Sequence, residues 1–74
     1  MYQITITKVV ETTATTTREA YTNKGVAIAA FSLMRKYESK ATPLSFVTIS
    51  LYEDGELIRH FDNRVGIVID MEGN

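Results

Sequence analysis

Along the first residues apolar and polar side chains alternate, with Tyr2, Ile4 and Ile6 set against Gln3, Thr5 and Thr7. A period of two marks a half-buried strand, and β-branched residues favour it. A first strand is therefore predicted over Tyr2–Val10. Glu11 to Thr13 holds no Gly, Pro or Asn, so the turn there is poorly signalled. Beyond it Thr15, Thr17, Glu19 and Tyr21 alternate with Ala14, Thr16, Arg18 and Ala20, which predicts a second strand over roughly Ala14–Tyr21. The rival reading is a loop and a helix that starts early, at Thr17. The Thr-rich stretch Thr12–Thr17 has no meaning in the sequence beyond its β-propensity.

The period then changes. Thr22 is a plausible N-cap, with Asn23 competing, for a helix that runs to about Ser39. At 100° per residue Val26, Ala27, Ala30, Leu33, Met34 and Tyr37 share one face, broad enough to cover a sheet. Arg35, Lys36 and Lys40 lie near the C-terminal end, where positive charge suits the macrodipole, and Pro43 closes the segment. Ser45–Glu53 reads as a third strand. Asp54-Gly55 is a strong hairpin signal, because a type I′ turn needs positive φ at both positions. Leu57–Phe61 returns as the fourth strand. A regular two-residue loop sets Tyr52 opposite Leu57, Leu51 opposite Ile58, Ser50 opposite Arg59 and Ile49 opposite His60. Val65–Met71 is apolar enough for a fifth strand, with Val65, Ile67, Ile69 and Met71 on one side, although Gly66 weakens it. Residues 62–74 are otherwise a loose tail. The fold class is α+β: one β-β-α-β-β(-β) domain over residues 1–74, an antiparallel sheet with one helix packed on one face.

Composition narrows the chemistry. With no cysteine there is no disulfide, and with one histidine a structural zinc site is not expected. A domain of 74 residues must then rely on tight packing or on a second subunit. Lys plus Arg number 8 against 9 for Asp plus Glu, so the basic excess of most nucleic-acid binders is absent. The N-terminus lacks the basic-then-apolar layout of a signal peptide, and no apolar run is long enough to span a membrane, so a cytoplasmic protein is expected. No Gly-rich phosphate loop or His-Glu-x-x-His motif is present, and no cofactor is expected.

Three clusters remain. On the regular register His60 shares a face with Val47, Ile49, Leu51 and Ile58, where it reads as a histidine at the core border, and Asp62 faces the same way. Glu53, Asp54 and Glu56 gather at the hairpin tip, where acids commonly serve solubility. Lys24, Arg35, Lys36 and Lys40 form a basic stretch of helix that reads as a solvated face.

Two surfaces depart from a simple monomer. Ile28 falls about 160° from the centre of the apolar helix stripe, Phe31 leans the same way, and Ile28, Phe31 and Arg35 form one strip. On the hairpin, the face opposite Val47, Ile49 and Leu51 carries Phe46, Tyr52, Leu57, Arg59 and Phe61. A sheet with one wet face is expected to be more polar there. These eight interface candidates favour a non-enzymatic protein-interaction domain, homodimeric, that binds through the outer sheet face or an edge strand. By analogy alone, such a compact chain fits a phage or mobile-element accessory protein. The alternative is a nucleic-acid-binding module using Arg35, Lys36, Lys40, Arg59 and Arg64. The third reading is a small enzyme built on His60.

Overall fold

The computed structural model describes residues 1–36 and 41–71. Strands β1 (Tyr2–Val10) and β2 (Thr13–Tyr21) precede helix α1 (Lys24–Lys36). Strands β3 (Ser45–Glu53), β4 (Glu56–Asp62) and β5 (Val68–Asp70) follow. All five strands form one antiparallel sheet in the order β2-β1-β3-β4-β5, and α1 packs over β1, β2 and β3 on one face. The α+β architecture expected from the periodicities is the one observed.

β1 and β2 meet in an uninterrupted register from Tyr2↔Tyr21 to Val10↔Thr13. The poorly signalled turn between them is closed by Glu11 at φ 57°, a left-handed conformation that a non-glycine residue adopts at some cost. The Asp54-Gly55 turn is as predicted, with φ of 50° and 87°.

The helix is capped by Asn23, not Thr22: its Oδ1 accepts from the Val26 amide at 3.1 Å. Lys24 puts a positive charge in the first turn, where the macrodipole disfavours it, and Glu53 offsets this from 3.6 Å away. The expected end near Ser39, and with it Tyr37 and Lys40, lies outside the described residues.

The buried face of the helix is rotated from the expected one: Ala27, Ala30 and Met34 of the expected stripe pack, but Val26 and Leu33 do not. Ala27 and Phe31 are core residues, and Ile28, Ala30 and Met34 pack against the core, while Val26 and Leu33 are each 54% exposed. The apolar stripe is wider than the sheet contact, and its statistical centre misses the side that packs. Ile28 and Phe31 are therefore not a separate strip. Phe31 belongs to the core with Ile4, Val47, Ile49, Leu51, Ile58 and Phe61, and Ile28 packs against it.

A second correction concerns the hairpin. Tyr52 pairs with Leu57 as expected, but the register then shifts, giving Leu51↔Arg59, Ser50↔His60, Ile49↔Phe61 and Thr48↔Asp62. Ile58 is the additional residue of a β-bulge, and it reverses the faces of everything after it. Phe61 turns inward to 6% exposure, and His60 turns outward. Burial favours this register, since a regular hairpin would put an imidazole in the core and a phenyl ring in water.

The fifth strand is shorter than expected. Val65 and Gly66 form a turn back onto the Asp62 carbonyl, and only Val68–Asp70 pairs with β4. Its inward residue is Val68, whereas Val65, Ile67, Ile69 and Met71, the four apolar residues of the expected strand's one side, are exposed. Among the described residues no helix is long and apolar enough to cross a membrane.

Candidate protein interface

Directly opposed residues share a face, so the registers order the side of the sheet away from α1 into rows. Ala20, Gln3, Tyr52 and Leu57 form one, and Arg18, Thr5, Ser50 and His60 the next. Thr16, Thr7, Thr48 and Asp62 follow, then Ala14, Val9 and Phe46. The middle of this open face is hydroxyl-rich, with Thr7 and Thr16 hydroxyls 3.2 Å apart. Its apolar groups sit at the two ends and at the β5 edge, where exposed Ile69 pairs with His60. With Phe61 in the core, the face is more polar than the sequence suggested.

The eight candidate residues separate accordingly. Phe46, Tyr52 and Leu57 are half-buried on the open face. Ile28, Phe31 and Phe61 are used in packing on the other side. Arg35 is exposed, with its guanidinium 5.9 Å from the Phe61 ring centroid, and Arg59 meets Asp70 at 3.4 Å.

The bulge creates a contact that sequence reasoning missed: Ser50 Oγ lies 2.9 Å from His60 Nδ1. Asp62 is near but otherwise engaged. The Arg64 Nε donates to its two oxygens at 3.0 and 3.1 Å, and the Arg64 backbone amide donates to it as well. That arginine hydrogen bond holds the Asp62 carboxyl below its usual range and raises the Arg64 guanidinium above its own. A catalytic Ser-His-Asp relay needs the carboxylate on the ring nitrogen away from the serine. Here Arg64 holds that carboxylate, and Arg64 in turn stacks 3.7 Å from the Phe46 ring centroid.

The acidic hairpin tip borders a shallow hollow of about 390 Å³ with Leu57, Ile58 and Met71. Its acids are partly met from within the chain, Asp54 by the Met1 amine at 2.8 Å and Glu53 by Lys24. Among the described residues no three His, Asp or Glu side chains converge to hold a metal. The basic residues do not converge either. Arg35 lies on Phe61, Arg59 on Asp70 and Arg64 on Asp62, from different elements and both faces, and Lys40 lies outside the described residues.

The feature of the molecule least used by its own fold is β2. It forms one edge of the sheet, and every residue except Tyr21 is exposed. Natural edge strands are usually short, bulged, covered, or guarded by charged side chains, Lys above all, or by Pro. β5, the opposite edge, has 3 residues, whereas β2 has 9, with no Lys, Pro or register shift and with charge only at Arg18 and Glu19. The signal was present in the sequence as the unexplained threonines: a β-prone run from Thr12 to Thr17 with no charge inside it. Compared with protein-family models, with curated proteins and with solved structures, the chain matches none.

Proposed function

We propose that this is a protein-interaction domain without catalytic activity, which binds an extended segment of protein by adding it as a strand to β2. The observation that supports the reading is the long, regular edge of β2, charged only at Arg18 and Glu19, beside a sheet whose buried core takes no residue from it. Strand addition draws affinity from main-chain hydrogen bonds and specificity from alternate side chains. β2 offers both, with Thr16 and Arg18 toward the open face and Thr15, Thr17, Glu19 and Tyr21 toward the helix side.

The test separates backbone from side chain. Tagged protein retrieves partners from lysate of the expressing cell, and these are identified by mass spectrometry. Thr16→Pro removes an edge N–H and is expected to abolish retrieval, whereas Thr16→Ala keeps the N–H and retains it. Equal retrieval by wild type and Thr16→Pro, with the fold intact by circular dichroism, would overturn the proposal.

A further inference from the structure

In an antiparallel sheet each residue directs its N–H and C=O to the same neighbour, and the direction alternates along the strand. The Glu11 amide donates to the Leu44 carbonyl, and the Asp54 amide to the Met1 carbonyl at 2.8 Å. Odd-numbered residues of β1 thus face β3, and even-numbered ones face β2. Through the register, Thr13, Thr15, Thr17, Glu19 and Tyr21 bond to β1. Ala14, Thr16, Arg18 and Ala20 then turn their backbone groups outward.

We infer that the strand received by this edge is β2 of a second copy, pairing antiparallel about a two-fold axis at Thr17. The inference rests on the strand-addition reading above. Its first support is self-complementarity. Outward residues must meet outward residues, so only registers that pair residues of equal parity form bonds. Centring on Thr17 overlaps the whole strand and sets Ala14 on Ala20 of the other copy, Thr16 on Arg18 and Thr15 on Glu19. Moving the centre to Arg18 opposes two arginines, and moving it to Glu19 opposes two glutamates, both unfavourable. Moving it to Thr16 shortens the overlap. The full-length register therefore also avoids directly opposed like charges. It forms about eight hydrogen bonds, two in each narrow pair.

The second support comes from the helix. Arg35 reaches toward β4, where it meets Phe61. Val26 and Leu33 lie about 160–180° around the helix from Arg35, on the flank toward β2. Equal-parity pairing keeps both helices on one face of a continuous ten-stranded sheet. The exposed Val26 and Leu33 of each copy then face a shared trough above the joined β2 strands.

The chain has no cysteine, which makes the register directly readable. In the inferred pairing the two Thr17 residues form a wide, non-hydrogen-bonded pair with Cα atoms about 4.5 Å apart, within disulfide reach. Two Thr13 residues are separated by eight strand positions. Full-length Thr17→Cys and Thr13→Cys are incubated with oxidised glutathione, which takes up the two electrons of disulfide formation. Solution mass is measured by light scattering on wild type and Thr16→Pro across a dilution series. The expected results are a wild-type dimer, a monomeric Thr16→Pro, and a covalent dimer from Thr17→Cys but not from Thr13→Cys. A wild type that is monomeric at all concentrations would overturn the inference. So would equal cross-linking of the two cysteine variants. If wild type is monomeric but Thr16→Pro still loses its retrieved partner, strand addition stands and only the second copy fails. If Thr16→Pro stays dimeric and keeps its partner, both fail.

Discussion

The bulge at Ile58 decides which side chains of β4 form the core, and replacing His60 or Phe61 one at a time tests it. Phe61 is 6% exposed, packed among Ile49, Val68 and the rest of the core. Truncating a buried Phe to Ala costs about 3–5 kcal/mol, from lost transfer energy and the cavity left behind. The exposed Arg35 contact to its ring adds about 0.5–1 kcal/mol at most. His60→Ala loses one hydrogen bond, to Ser50, on a half-exposed face, worth about 0.5–1.5 kcal/mol. At about 0.05–0.15 kcal/mol per residue, 74 residues have a total stability of roughly 4–11 kcal/mol. Phe61→Ala should therefore remove a large share of it. With about 4–8 °C per kcal/mol for a small domain, the Tm falls by roughly 12–40 °C, against roughly 2–12 °C for His60→Ala. Urea and thermal unfolding of both variants, at one protein concentration because the proposed self-association would shift both, give the comparison. If His60→Ala proves the more damaging of the two, β4 pairs without the bulge, and the assignment of faces is wrong.

Other substitutions test local chemistry. Asn23→Ala should destabilise by about 0.5–2 kcal/mol in urea, while Thr22→Ala, one residue earlier, leaves the midpoint almost unmoved. Gly55→Ala places a Cβ at φ 87° and should cost about 1–2 kcal/mol although no neighbour obstructs it; an unchanged melting curve would show that the turn is not as described. Asp62 has its folded pKa lowered below the ordinary 3.8 by Arg64. Its contribution to stability is full above the unfolded pKa and is lost as pH falls through the folded one. Asp62→Asn should thus flatten the acid limb of the stability profile and leave its alkaline limb in place, and an NMR carboxyl titration of wild type reads the lowered pKa directly.

The parts of the fold that were legible in the sequence are those set by local pattern. β1, β2, β3 and the Asp54-Gly55 turn follow from alternation and from the demand of a type I′ turn for positive φ. What failed was set by tertiary contact. A bulge leaves no mark on hydrophobicity in a run such as Leu57-Ile58-Arg59-His60-Phe61, where either parity offers apolar residues, and one inserted position reverses every later face. The helix stripe failed for a related reason. With Val26, Ala27, Ile28, Ala29, Ala30 and Phe31 in succession, α1 is apolar almost all round its first turns, so a computed centre does not identify the packed side. The largest side chain decides, and Phe31 fills the space above Ile4, Ile49 and Leu51. Of the candidate surface, only Phe46, Tyr52 and Leu57 remain on the open face. The β2 edge was visible merely as composition, because exposed backbone has no signature of its own.

The energetics of β2 bear on why its threonines are there. The buried core draws on α1, β1, β3 and β4, and not on β2, whose one half-buried residue is Tyr21. Ordering each backbone residue costs about 1–2 kcal/mol, and each net hydrogen bond returns about 0.5–1.5 kcal/mol. One ladder with β1 thus comes close to balancing the ordering of β2, with little from burial. Side-chain contacts add modestly: the Thr7–Thr16 hydroxyl pair, and the Tyr21 hydroxyl donating to Glu19 at 2.8 Å. β-branched threonine narrows the unfolded ensemble toward extended conformations and tolerates water on both faces of the strand, which suits a segment exposed on both. A second strand on the outer edge would double the backbone bonding of β2 with no further ordering of β2 itself, since it is already extended. The proposed pairing at this edge would therefore add more to β2 than side-chain contacts do, and the same pairing would carry its binding.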